Sequence, residues 1–95
     1  MVRLMITMEP NELSVPDDWV VSRLPAHSRG IARRFFEWIY RYEPTRDKSD
    51  IAKLNIFARK VTAVLKRLVR NGTVVADDPV LEDGYWIRTY RRRSS

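Results

Sequence analysis

Hydrophobic positions recur along this chain with different periods, and each period marks a different kind of element. Val2, Leu4, Ile6 and Met8 alternate with other residues, the two-residue repeat of a strand with one apolar face, and Pro10 stops it. Pro16, Asp17 and Asp18 precede Trp19, Val20 and Val21. Over residues 16–24 this fits a short helix with acids in its first turn and, equally, a β-branched strand ending before Pro25. Behind Ser28, a good capping residue, Ile31, Phe35, Trp38, Ile39 and Tyr42 follow at helical steps. The spacing predicts an amphipathic helix ended by Pro44, with Arg33, Glu37 and Arg41 as an outward i,i+4 row. Phe36 and Tyr40 widen its apolar arc, either for packing against the N-terminal segment or as a dimer interface.

Ser49, Asp50 and the apolar residues Ile51, Ala52 and Leu54 predict a second, short helix, which Asn55 breaks. A third helix is predicted over 57–70, with Val61, Val64, Leu65, Leu68 and Val69 facing inward and Asn71-Gly72 as its stop. Its outer face, Arg59, Lys60, Thr62, Ala63, Lys66, Arg67 and Arg70, contains no acid. Solvated helix faces usually mix signs, so an all-basic face points to an anionic partner. Residues 73–76 and 85–90 then predict a hairpin, with Trp86 and Tyr90 on one face and Arg88 between them. The remaining Arg91, Arg92 and Arg93 have no apolar anchor and are expected to be disordered unless bound.

Charge sharpens this picture. The 95 residues carry 18 Lys and Arg against 12 Asp and Glu, for a formal net charge of +6. Residues 23–76 hold thirteen of the bases and only four of the acids. A positive field concentrated in one zone favours a polyanion. The length suits one domain and is too short for two independent cores. With no Cys and a single His, thiol chemistry, disulfides and a histidine-rich metal site fall away, and no cofactor, metal or small-molecule ligand is expected. Catalysis is not expected either, because the adjacent acids Asp17-Asp18 and Asp77-Asp78 have no paired lysine near in sequence and His27 stands alone. No apolar run approaches the roughly 20 residues that span a bilayer, so the expected location is cytoplasmic and nucleoid-associated.

The run from Ile51-Ala52 through Asn55-Ile56, Val61, Leu65, Leu68, Gly72 and Val74 resembles the consensus of the winged helix-turn-helix family. The resemblance covers residues 27–91 and implies a small α+β domain of three helices with a C-terminal β-hairpin wing. Around it lie an N-terminal strand-containing extension over 1–26 and a basic tail over 92–95. It further implies sequence-specific binding of double-stranded DNA by a small transcriptional regulator acting as a homodimer, with the third helix in the major groove. The residues matching that role are Arg59, Lys60, Thr62, Ala63 and Lys66 toward bases, with Arg67 and Arg70 toward phosphate. Lys48 and Ser49 at a helix N-terminus, together with Arg88, Arg91, Arg92 and Arg93, would add further phosphate or groove contacts. Two features depart from the pattern: the segment between Ile51 and Val61 is one residue shorter than the common one, and the wing carries Asp77, Asp78, Glu82 and Asp83. Either the wing stays off the DNA, or the domain is a protein-interaction module or an RNA or single-strand binder.

Overall fold

The computed structural model describes residues 9–93. The strand expected over 2–8 lies outside that range. Three α-helices, α1 (Asp17–Ser22), α2 (Ser28–Tyr40) and α3 (Lys48–Arg70), combine with strands β1 (Ala26–His27), β2 (Val74–Ala76), β3 (Val80–Glu82), β4 (Tyr85–Ile87) and β5 (Thr89–Arg92). The result is a small α+β fold. β5 lies between β1 and β2 in an antiparallel three-stranded sheet, whereas β3 and β4 form a separate two-stranded hairpin.

The open choice over 16–24 resolves as a helix, with Asp17 and Asp18 in the first turn of α1, where the N-terminal end of the helix dipole favours acids. Val20 and Leu24 turn into the core with Val15. α2 begins at Ser28, but the cap is His27, whose Nδ1 accepts the Gly30 amide at 3.0 Å. It ends before Pro44 is reached, because Arg41 adopts the left-handed conformation at φ 66°. The outward row accordingly shortens to the pair Arg33–Glu37 at 3.6 Å.

The main correction concerns the helix-turn-helix break. Residues 48–70 form one continuous helix, and Asn55 sits exposed in its middle. An exposed Asn costs a helix only a fraction of a kcal/mol, roughly 0.7 at most. Against that, Asp50, Phe57, Val61, Val64, Leu65 and Leu68 form a single buried stripe, and the half-buried Leu54 bridges its widest step. Asp50 hides the start of the stripe because it is polar. Its buried carboxylate accepts the Thr45 amide at 2.9 Å, the Thr45 hydroxyl at 2.8 Å and the Tyr42 phenol at 2.8 Å, which folds residues 41–47 onto the helix. Asp47, and not Ser49, is the cap residue of α3.

Phe35, Phe36 and Phe57 are fully buried where α2 crosses α3. Phe35 meets Phe57 edge-on at 4.9 Å, and Tyr40 stacks on Phe57 at 6.0 Å. Phe36 and Tyr40, weighed above as a dimer interface, are 0 and 4% exposed. They are core residues and offer no surface to a second copy.

The C-terminal region also departs from expectation. β2 pairs with β5 and reaches residues 85–90 only at Tyr90, opposite Ala76, whereas residues 85–87 pair with β3. Arg91 and Arg92 are strand residues opposite Val75 and Val74, and the Arg93 amide donates to the Thr73 carbonyl at 3.1 Å. The basic tail expected from residue 92 is therefore sheet through that position. Between β4 and β5 the pairing is interrupted at Arg88, so Tyr90 turns into the core while Trp86 remains 70% exposed. Asp83 and Gly84, both at positive φ, form the two-residue turn that suits a tight hairpin.

Candidate nucleic-acid interface

Among the thirteen bases of the central zone and the arginines in and beside β5, two populations stand apart. One population is spent inside the fold. Lys60 Nζ donates to the carbonyls of Asn11, at 2.9 Å, and Leu13. Arg67 pairs with Asp17 of α1. Arg91 pairs with Asp77 at 3.0 Å, and Arg93 Nε donates to the Gly72 carbonyl at 2.7 Å. Lys53 lies over the Tyr40 ring at 4.8 Å, and Arg23 over Trp19 at 4.9 Å.

The other population lines one concave surface. Ala58, Arg59, Thr62, Ala63 and Lys66 of α3 border a shallow depression of about 380 Å³. Thr62 also borders a larger groove of about 710 Å³ between the start of α2, α3 and the hairpin, to which Arg29, Trp86 and Arg88 contribute. Lys66 and Arg88 meet again in a third depression of about 270 Å³, together with Arg70 and Tyr90. Because neighbouring depressions share lining residues, they form one surface. Arg29, Arg59, Lys66, Arg70 and Arg88 line it, and no carboxylate does. Among the described residues none of these five is in an ion pair; Arg29 donates only a long bond, 3.4 Å, to Asn55 Oδ1.

Helical geometry explains the division. At 3.6 residues per turn, positions 59, 62, 63, 66 and 70 stack on one face, whereas 60 and 67 lie about a quarter turn away. That second row faces residues 11–13 and α1, where carbonyls and Asp17 are waiting. Of the residues expected to meet bases, Arg59, Thr62, Ala63 and Lys66 are thus brought together, and Lys60 is not. Of those expected to meet phosphate, Arg70 and Arg88 belong to the surface and Arg67 does not. Lys48 lies exposed at the N-terminus of α3, on the same face as Arg59 and Lys66 but turns away along the helix, and Ser49 is on the other row. Arg91 and Arg93 are engaged in the sheet, and Arg92 is an exposed strand residue. Arg29, Trp86 and Tyr85 complete the concave surface. Arg29 escaped the sequence reading because its place depends on how the start of α2 meets α3.

The acids of the hairpin are arranged apart from this surface. Asp77 is held by Arg91, while Glu82 and Asp83 sit at the tip, in the last pair and the turn. Among the described residues no helix is long and apolar enough to cross a membrane. Comparison with family models, with curated proteins and with solved structures finds no match to the chain.

Proposed function

We propose that the chain is a winged-helix-like protein that binds double-stranded DNA, with the Arg59–Lys66 stretch of α3 in the major groove. In this reading the helix-turn-helix pair is α2 and α3, joined by residues 41–47, in place of the short and long helices expected within 50–70. The order of elements supports such a frame: a strand, two helices, and a hairpin whose returning strand β5 lies between β1 and β2. The wing is then the long excursion through β3 and β4.

One observation carries the reading: among the described residues, a continuous surface of five bases with neither an ion-pair partner nor a carboxylate beside them. Assembling like charges costs free energy unless a counter-charge arrives, and a phosphate backbone supplies one at each nucleotide. A major groove about 12 Å wide admits one helix. Arg59 and Lys66 flank Thr62 and Ala63; a guanidinium can grip guanine and a methyl side chain can meet thymine, so this stretch carries sequence readout. Arg70 flanks it as a phosphate contact, and Arg29 and Arg88 extend the positive surface beyond it. A transcriptional regulator acting as a homodimer fits this chemistry, but its second copy has to pack elsewhere than on Phe36 and Tyr40. Beside these bases the surface carries His27, whose Nδ1 accepts from the Gly30 amide, and the phenols of Tyr85 and Tyr90.

The test is a gel-shift titration of random duplex followed by selection of preferred sites. Duplex binding in the micromolar range or tighter, with a preferred site that Arg59→Ala weakens by ~1 to 3 kcal/mol, is the expected result. Absence of duplex binding at low salt rejects the reading.

A further inference from the structure

The β3–β4 hairpin is built unlike the rest of the chain. Its strands pair only with each other, and Leu81, Tyr85 and Trp86 are 56, 73 and 70% exposed. Large aromatic side chains left this open mark contact sites more often than they mark packing. The other tryptophans are treated differently: Trp19 and Trp38 stack on each other at 5.5 Å. Among the described residues Trp86 and Tyr85 have no ring partner.

Trp86 is also where the hairpin meets the cationic surface. With Arg88 it lines the 710 Å³ groove, opposite elements that contribute Arg29 and Thr62, and this volume falls in the range of sites for small organic ligands. An exposed π-face beside two arginines that have no carboxylate partner matches a base and its flanking phosphates. The tip acids select further. Glu82 and Asp83 repel a phosphate placed at the hairpin end but not the neutral face of a base.

We propose that this groove takes an unpaired stretch of nucleic-acid strand, one base stacked on Trp86 and its phosphates on Arg29 and Arg88, so that the protein binds best where duplex meets single strand. The proposal rests on the duplex reading above and adds a second subsite to it. Thr62 belongs both to the α3 depression and to the groove, so a strand leaving the duplex reaches Trp86 without passing a carboxylate. DNA and RNA share the required chemistry.

Fluorescence anisotropy with a blunt duplex, the same duplex bearing a short thymidine or uridine overhang, and the free overhang strand tests the idea. The wild type is expected to bind either overhang duplex about tenfold more tightly than the blunt one, the scale of one stacked base. Trp86→Ala and Trp86→Leu should bring the overhang-to-blunt affinity ratio down to about one, while Trp86→Tyr keeps most of the gain. Leu retains apolar bulk without a π-face, and the exposure of Trp86 makes all three replacements compatible with folding. Equal affinity for blunt and overhang duplexes overturns the proposal, as does a gain that survives Trp86→Leu. Trp86-dependent capture of the free strand with no binding of any duplex would overturn the duplex reading and leave the groove assignment standing.

Discussion

Lys60 donates its ammonium to the carbonyl of Leu13, a residue 47 positions earlier, and thereby ties the N-terminal segment to the middle of α3. A charged donor on a carbonyl contributes about 1.5 to 3 kcal/mol. Lys60→Ala should therefore lower unfolding free energy by about that amount while leaving duplex affinity within twofold. Urea denaturation and a DNA titration on the same variant check both halves. A variant of full stability that binds DNA weakly would return Lys60 to the interface.

Truncation after Tyr90 removes Arg91 and Arg92 from the edge of β2 and breaks the Arg91–Asp77 pair. Each lost ladder bond is worth roughly 0.5 to 1.5 kcal/mol, so a loss of about 2 kcal/mol or more is expected. For a domain this small that is a fall in Tm on the order of 10 °C.

The Asp50 carboxylate is held below the usual range, first by the Thr45 amide and then by the hydroxyls of Tyr42 and Thr45, with burial opposing. A carboxyl whose pKa falls on folding stabilises the fold fully above its unfolded value, about 3.9, and loses that contribution as pH drops through its lower folded value. Asp50→Asn should be less stable than wild type at neutral pH, and the difference should shrink below about pH 4. Chemical denaturation across pH checks this; a gap that stays constant would remove Asp50 as the clamp of residues 41–47. The partner Tyr42 is shifted upward, chiefly by its bond to Asp50, so its share of stability is present below pH 10 and fades as pH rises above that.

Arg41 closes α2 at φ 66°, a conformation that suits glycine. Arg41→Gly should raise stability by about 0.5 to 1 kcal/mol, read from a denaturation midpoint, and should leave DNA affinity unchanged because Arg41 lies off the basic surface.

The sequence carried the helical stripes of α2 and α3 almost intact, because burial of Ile31, Phe35 and Ile39, and of Val61, Leu65 and Leu68, repeats at helical spacing whatever the neighbours do. Other features depended on partners distant in sequence. Asn55, exposed within α3, reads as a break, so one helix looked like two, and Asp50 reads as an ordinary first-turn acid until Thr45 and Tyr42 are brought onto it. Lys60 and Arg67 are indistinguishable from Lys66 and Arg70 until the carbonyls of 11 and 13 and Asp17 are brought beside them. The strand Thr89–Arg92 read as hairpin and tail, because three consecutive arginines carry no alternation and the pairing with β2 skips the whole β3–β4 excursion.

In the proposed function Arg59, Lys66 and Arg70 face DNA, whereas Lys60 and Arg67 hold the fold. Salt dependence of duplex binding tests this division most directly, since log affinity falls with log salt by about 0.9 for each phosphate neutralised. The double substitution Lys66→Ala/Arg70→Ala should make that slope shallower by about one, through the Arg70 phosphate contact, and Lys60→Ala/Arg67→Ala should leave it unchanged while lowering stability. Equal slopes for the two double variants, or a shallower slope only in the second, would contradict the account.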